Sequence, residues 1–561
     1  MTRKVGFILL LVIVLGCGQQ QKSDEVKTDM SKGGGILVLN QFQGFSTLFP
    51  PSAYEGSATQ LGSHVYETLL AYDPGSKALI PSLAESWEMN DDATLFSLKI
   101  REGVFFHDDP CFEDGKGRLM TGKDVLYCLK ALCENNPRNR NSWLFLDLIK
   151  GANEFYSQKK SSLADPLEGI RLTDKYQIEI ELVKPNVEFL NVLAHYGTSI
   201  YPKESVDHYE RSIGENPVGT GPFKPKVLRV NEVCIMERNN QYWGRDENGN
   251  KLPYLNGLKF GFKNDAYSLM NAMSKGLLHI VINADMEEQG DKLVEFASRE
   301  TSNYTISKEN DLETVYLSFL NDEGIFSDVR IRKAFGLVLD KEKMTTEILK
   351  ESGGPGEYGF IPPAFKNYPY IEVRGFKMNL DSARTLLAEA GYPGGQDFPV
   401  ITLQIQNRYK DVVVAQEIQQ QLLNELGISL SITALPREQH FQRIEEKKTL
   451  LWIDNWIGDY LDPQNFLSLL LSGNTPEEGG SYLNTYRYIN PTFDSIVDEA
   501  IKTADLKQRM HLYCQADVLL MRDAPVVPIY YEKNQIVMHK SVQGLESMTL
   551  GQLDLRKVYL Q

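Results

Sequence analysis

Residues 449–471 read TLLWIDNWIGDYLDPQNFLSLLL. Its apolar run Leu450-Leu451-Trp452-Ile453 predicts a buried strand, and Asp462-Pro463 ahead of Phe466, Leu467, Leu470 and Leu471 predicts a capped amphipathic helix. Between the two, a loop is expected to hold Trp456, Gly458, Asp459 and Tyr460. Strand, loop and helix in that order indicate an α/β fold, in which the end of a buried strand is the usual place for a ligand. Asp462 has a structural task as N-cap and Asp459 has none, so Asp459 is the candidate binding carboxylate. Trp456 and Tyr460, with Trp452 behind them, are candidate stacking surfaces, Trp456 foremost because it is expected in the loop; each is also a candidate for the core.

Outward from this stretch, 561 residues exceed what one core supports, so two or three compact units are expected. A hydrophobic fraction of 42% and a charged fraction of 24% are ordinary for a globular chain. With 59 basic against 75 acidic residues the net charge is −16, which opposes nonspecific binding to nucleic acid. At the start, Arg3-Lys4, the apolar run Val5 to Leu15 and Val14-Leu15-Gly16-Cys17 are similar to a bacterial lipoprotein signal. That run is little more than half of the roughly 20 apolar residues a spanning helix needs. Residues 1–16 are therefore expected to be removed, Cys17 to carry lipid, and residues 17–34 to form a flexible tether. Of the later cysteines, Cys111, Cys128, Cys133, Cys234 and Cys514, an odd count leaves at least one thiol free. Cys128 and Cys133 fall on different faces of one helical pattern, which argues against a bridge between them, and no Cys-x-x-Cys or paired-His spacing suggests a metal.

The run W-x-G-D-x-x-D-P-x-N-F at 456–466 resembles the signature of family 5 extracellular solute-binding proteins of ABC importers, the dipeptide-, oligopeptide- and nickel-binding type. So do P-x-L-A-x-S-W from Pro81, G-V-x-F-H ending at His107, T-G-K-D-V from Thr121, P-V-G-T-G-P-F from Pro217, and D-V-R-x-R-x-A-F from Asp328. The resemblance spans about residues 36 to 550. It implies an α/β, periplasmic-binding-protein-like two-lobed fold (type II, cluster C) with an extra domain. Domain I would comprise 35–75, 204–305 and 524–561, domain II 76–203 and domain III 306–523, with hinge crossings near 305 and 523. It implies a lipid-anchored, monomeric protein that captures di- to oligopeptides between its lobes and delivers them to an ABC permease, without cofactor, catalysis or nucleic acid. By the same resemblance Asp459 pairs with the peptide's α-ammonium, Arg408 with its α-carboxylate, and the loop at Tyr54, Glu55 and Gly56 faces the cleft.

Bland readings stand beside these. Glu55 also suits a solvated acid at a helix start, and Arg408 a solvated loop arginine. His107, without a second ligand at metal spacing, suits a hydrogen-bonded structural residue. Asp246, Asn248 and Asn250 look like half a calcium loop, but Lys251 replaces the glycine such a loop needs, and a hairpin turn fits better. Arg330 and Arg332 are expected in surface ion pairs. A secreted hydrolase is the reading from another class: Ser157-x-x-Lys160 fits a nucleophile pattern, but its K-T-G and S-D-N partners are missing. Within the binding class, an oligosaccharide or a metal chelate is the alternative solute. The remaining periodicities predict single strands over 170–183 and 227–236, a helix carrying Leu61, Val65, Leu69 and Leu70, and a hairpin from Trp87 to Ile100.

Overall fold

The computed structural model describes residues 34–158, 163, 165–283, 290–299, 303–478 and 483–561. The signal segment, Cys17, most of the tether and Lys160 lie outside the described residues. Two long antiparallel strands, Tyr304–Phe319 and Val526–His539, form the spine. Their outer halves, Tyr304 to Asn310 and Lys533 to His539, pair with each other beside the strand Ile280–Ile282. Their inner halves pair beside Leu451–Ile457. The pairing slips between Asn310 and Thr314, a bulge placed where the two strands pass from one core to the other.

Around the outer halves the sheet continues through Ile36–Gln41, Gly257–Gly261, Val233–Arg238 and Phe223–Arg229. Around the inner halves it continues from Leu451–Ile457 to Ile401–Gln406 and Leu430–Leu435, which are parallel to each other. Two large cores result: a first lobe centred on residues 37–282 and 536–558, and a second on residues 312–530. A separate antiparallel sheet of Ala84–Met89, Leu95–Ile100, Gln177–Glu181 and Ile170–Asp174 belongs to the first lobe. Phe96, Leu98 and Ile100 point into that lobe's core while Leu95, Ser97 and Lys99 alternate outward, as the hairpin pattern predicts. Among the described residues no helix is long and apolar enough to cross a membrane.

Several expected elements are divided in the structure, each for a local reason. Residues 170–183 form a hairpin, not one strand, because Asp174 takes the Lys175 amide at 2.7 Å and turns the chain. Residues 227–236 likewise reverse at Asn231, whose φ of 60° a short polar side chain tolerates. The helix expected to carry Leu61, Val65, Leu69 and Leu70 ends at Gly62. Beyond it the backbone is claimed by another segment: the carbonyls of His64 and Val65 accept the Phe223 and Gly221 amides at 3.0 and 2.9 Å. That contact explains P-V-G-T-G-P-F, since a Cβ at Gly219 would lie 2.1 Å from the Val65 carbonyl oxygen. His107 joins the same knot, with Nε2 2.9 Å from the Gly221 carbonyl, and burial pulls its pKa down to about 4. Arg330 pairs with Asp328 at 2.6 Å at the surface, but Arg332 is buried and donates to the carbonyls of Phe326, Asp523 and Ala524. Cys111, Cys128, Cys133, Cys234 and Cys514 are all free thiols.

The lobes touch through buried charge. Arg509, on the helix Leu506–Asp523 of the second lobe, lies 2.6 Å from Glu188 of the first lobe and 3.9 Å from Asp462. One guanidinium thus serves two buried carboxyls. Burial, reinforced by the neighbouring Asp462, holds Glu188 well above the usual carboxylate range, and burial also raises Asp462. A carboxyl whose pKa is raised in the closed state is tolerated there when protonated, so its penalty is absent at low pH and grows as pH rises through the raised value. Arg509→Leu is therefore expected to open the ligand-free protein, by the equivalent of ~3–5 kcal/mol. Small-angle scattering should show a larger radius of gyration, more so at pH 8 than at pH 5; an unchanged radius at both would contradict this role for Arg509.

Candidate functional site

The strand Leu451–Ile457 runs four residues past its expected end at Ile453, so Trp456 is part of it and the loop begins at Gly458. Trp452, a candidate stacking surface, is buried and stacks on Tyr486 at 5.9 Å inside the second core. Gly458 donates its amide to the Leu312 carbonyl at 2.8 Å, and a Cβ there would lie 2.4 Å from the Leu312 side chain. The close approach is what requires glycine. After it, Asp462 accepts the Gln464 amide at 2.8 Å and starts a helix of only Gln464–Leu467, which continues as one 3-10 turn over Ser468–Leu470.

Asn465, which the sequence motif contains but to which no role was attached, ties the two ends together. Its Oδ1 accepts the Trp456 indole at 2.9 Å and the Asp459 amide at 3.1 Å, while its Nδ2 reaches the Asp459 carboxylate at 3.4 Å. Asp459 is thereby fixed on the wall of an inter-lobe cavity of about 380 Å³. Tyr54, Arg140 and Arg556 line it from the first lobe, and Ile457, Gly458 and Asp459 from the second. No ion-pair partner faces Asp459 among the described residues, and burial lifts its pKa to about 6, the Asn465 hydrogen bond opposing only in part.

Of the residues singled out in the sequence, Asp459, Gly458, Tyr54 and Gly56 line this cavity, whereas Trp456, Tyr460, Glu55 and Arg408 do not. Trp456 packs against the second core with its indole committed to Asn465. Tyr460 crosses the gap and packs into the first lobe's core, its hydroxyl bonded to Gln464. Glu55 turns back to the Ser46 amide and hydroxyl at 3.3 and 3.0 Å, because the Gln41 to Gly56 loop folds over its own start. Arg408 stands at the end of Ile401–Gln406, on the same edge as Asp459, but forms a two-pronged pair with Asp411 at 2.8 and 2.9 Å and does not line the cavity. The i, i+3 spacing on the start of the helix Tyr409–Leu426 made that pairing available.

Other wall residues escaped the sequence reading. Tyr72 donates to Asn191 at 2.9 Å and accepts the Leu461 amide at 3.2 Å, which pins the Asp459 loop to the opposite lobe. Glu67 takes hydrogen bonds from Thr220, Tyr242 and Trp243 at 2.8–3.0 Å, and Arg556 is paired with Asp554 at 2.6 Å.

Comparison with known proteins agrees with this architecture. The family described as bacterial extracellular solute-binding proteins, family 5 middle, matches residues 78–477. The chain belongs to this family. This family 5 protein is 26% identical to heme-binding protein A of Haemophilus influenzae, over 91% of this chain and 88% of that one. It is also 26% identical to the periplasmic oligopeptide-binding protein OppA of Salmonella typhimurium, over 91% and 89% of the two chains. Among solved structures, the periplasmic binding protein DppA from Helicobacter pylori, in complex with peptide STSA, superposes with a TM-score of 0.75 at 23% identity. That superposition covers 94% of this chain and 98% of the other, and it shows the shared two-lobed fold.

The Asn465 bridge gives a direct expectation. Asn465→Ala removes the acceptor of two N–H groups and leaves a partly buried indole and amide unpaired, which should lower unfolding free energy by ~1 kcal/mol or more. A denaturant midpoint equal to that of the wild type would show that the bridge does not hold the Asp459 loop.

Proposed function

We propose that this family 5 protein binds short peptides, with Asp459 receiving the α-ammonium, and hands them to an ABC permease. The observation that carries the reading is a partly desolvated carboxylate on the wall of an inter-lobe cavity with no cation of its own. Such a group is costly unless the ligand supplies the missing charge, and an N-terminal amine does so with three donors. A neutral oligosaccharide would leave the carboxylate uncompensated. A cavity of about 380 Å³ is roughly 9 Å across if taken as a sphere, the span of two to three extended residues at ~3.3–3.6 Å each. The names of relatives that bind dipeptides and oligopeptides support the same class of ligand. Tyr54 and the cavity face of Gly458 complete the wall, and bringing the lobes together buries the peptide. The protein acts as a monomer without catalysis, held to a membrane by lipid on Cys17.

Asp459→Asn is expected to weaken binding of free-amine peptides by roughly 10- to 100-fold and of their N-acetylated forms far less. Isothermal titration calorimetry on trialanine and acetyl-trialanine measures this; equal losses on both would reject the ammonium role.

The raised pKa adds a pH signature. Protonation removes the charge the amine needs, so affinity should be full above pH 6 and fall roughly tenfold per unit below it, where an ordinary carboxylate near pH 4 would still bind. An affinity flat from pH 7 to pH 4.5 would contradict the assignment.

A further inference from the structure

Resting on the peptide reading, the charges around the cavity can be counted one by one. Asp554 and Arg556 neutralise each other through a two-pronged pair. Glu67 is satisfied by three neutral donors, and burial raises its pKa. His64 and His195 are held down to about 4 by burial and are neutral at neutral pH. Two ionic groups on the wall are left without an opposite charge among the described residues: Asp459 on the second lobe and Arg140 on the first. A cavity with one unpaired acid and one unpaired base complements a zwitterion.

Arg140 is held in place from behind. Its own amide donates to the Pro51 carbonyl at 2.9 Å, and the buried Asn141 side chain donates to the carbonyls of Pro50 and Ala53 at 2.8 and 3.0 Å. Ser52 adds a hydrogen bond from its hydroxyl to the Arg138 carbonyl. These contacts lock the 138–141 segment onto the loop that carries Tyr54. The guanidinium then lies 4.6 Å over the Tyr54 ring, which is 54% exposed. A guanidinium stacked on an aromatic face keeps its edge donors free, and that edge fits a carboxylate with two parallel hydrogen bonds. Trp143, three residues on and 46% exposed, lines the same wall.

We propose that Arg140, backed by Tyr54, is the residue that binds the α-carboxylate of a short peptide whose α-ammonium sits at Asp459. The assignment moves this role away from Arg408, whose guanidinium is already neutralised by Asp411. It also divides the two ends of the ligand between the lobes, so that a zwitterionic peptide draws the lobes together and a ligand lacking either charge does not.

The test is calorimetric titration of wild type, Arg140→Gln and Arg140→Lys with dialanine, trialanine and the C-terminal amide of each, alongside acetyl-trialanine. The wild type should bind the acids roughly 10- to 100-fold more tightly than the amides. Arg140→Gln should bind acids and amides alike at the amide level, and Arg140→Lys should fall between, retaining charge without the paired donors. Loss of acid affinity alone, in a variant with unchanged melting temperature and unchanged preference for free over acetylated amine, supports the proposal. If Arg140→Gln keeps the acid-over-amide preference, Arg140 is not the carboxylate site, while the Asp459 reading stands. If the wild type binds none of these peptides, the peptide reading fails and this assignment with it.

Discussion

A carboxylate held out of water without a counter-charge is an unstable arrangement for a protein to maintain, and Asp459 is held that way by the structure around it. The strand Leu451–Ile457 delivers it to the gap between lobes, Gly458 lets the chain pass against Leu312, and Asn465 fastens the residue from behind. None of these contacts neutralises it. Because burial disfavours the charged form, the protein holds an electrostatic demand between its lobes, which the proposed peptide amine would satisfy. The long strands Tyr304–Phe319 and Val526–His539, bulged between Asn310 and Thr314, are the connection between the two lobes that flank it.

The inter-lobe contacts have the same character. Tyr460 inserts into the opposite core and Tyr72 holds the Leu461 amide, so the loop bearing Asp459 is itself part of the contact between the lobes. Glu188, Asp462 and Arg509 place two carboxyls against one guanidinium nearby. The contact between the lobes therefore combines apolar packing, which is tolerant, with buried charge, which is selective about protonation.

How much of this could be read in the sequence depended on whether the deciding contact was local. Asp459 and Gly458 were legible because strand, glycine and cap lie within a few residues of one another. Trp456 was misplaced because the apolar run 450–453 gives no sign that the strand continues through Asp454 and Asn455, which are accommodated by pairing with Val315 and Tyr316. Arg408 and Glu55 were placed correctly at strand and helix ends, but a side chain three residues away in one case, and nine in the other, captured their charge. The single strands expected over 170–183 and 227–236 hid turns whose signals, Asp174 and Asn231, were present and outweighed by the alternation around them. Arg140 carried no signal at all: it sits in a polar stretch 319 residues from Asp459, and only the tertiary fold brings both to one wall.

The most direct measurement is a crystal structure of the protein with trialanine bound. The account predicts the peptide's terminal nitrogen at ~2.7–3.2 Å from the Asp459 carboxylate, inside the closed gap between the lobes. A peptide seated with its amino terminus away from Asp459, or that carboxylate facing bulk water in the closed complex, would contradict it.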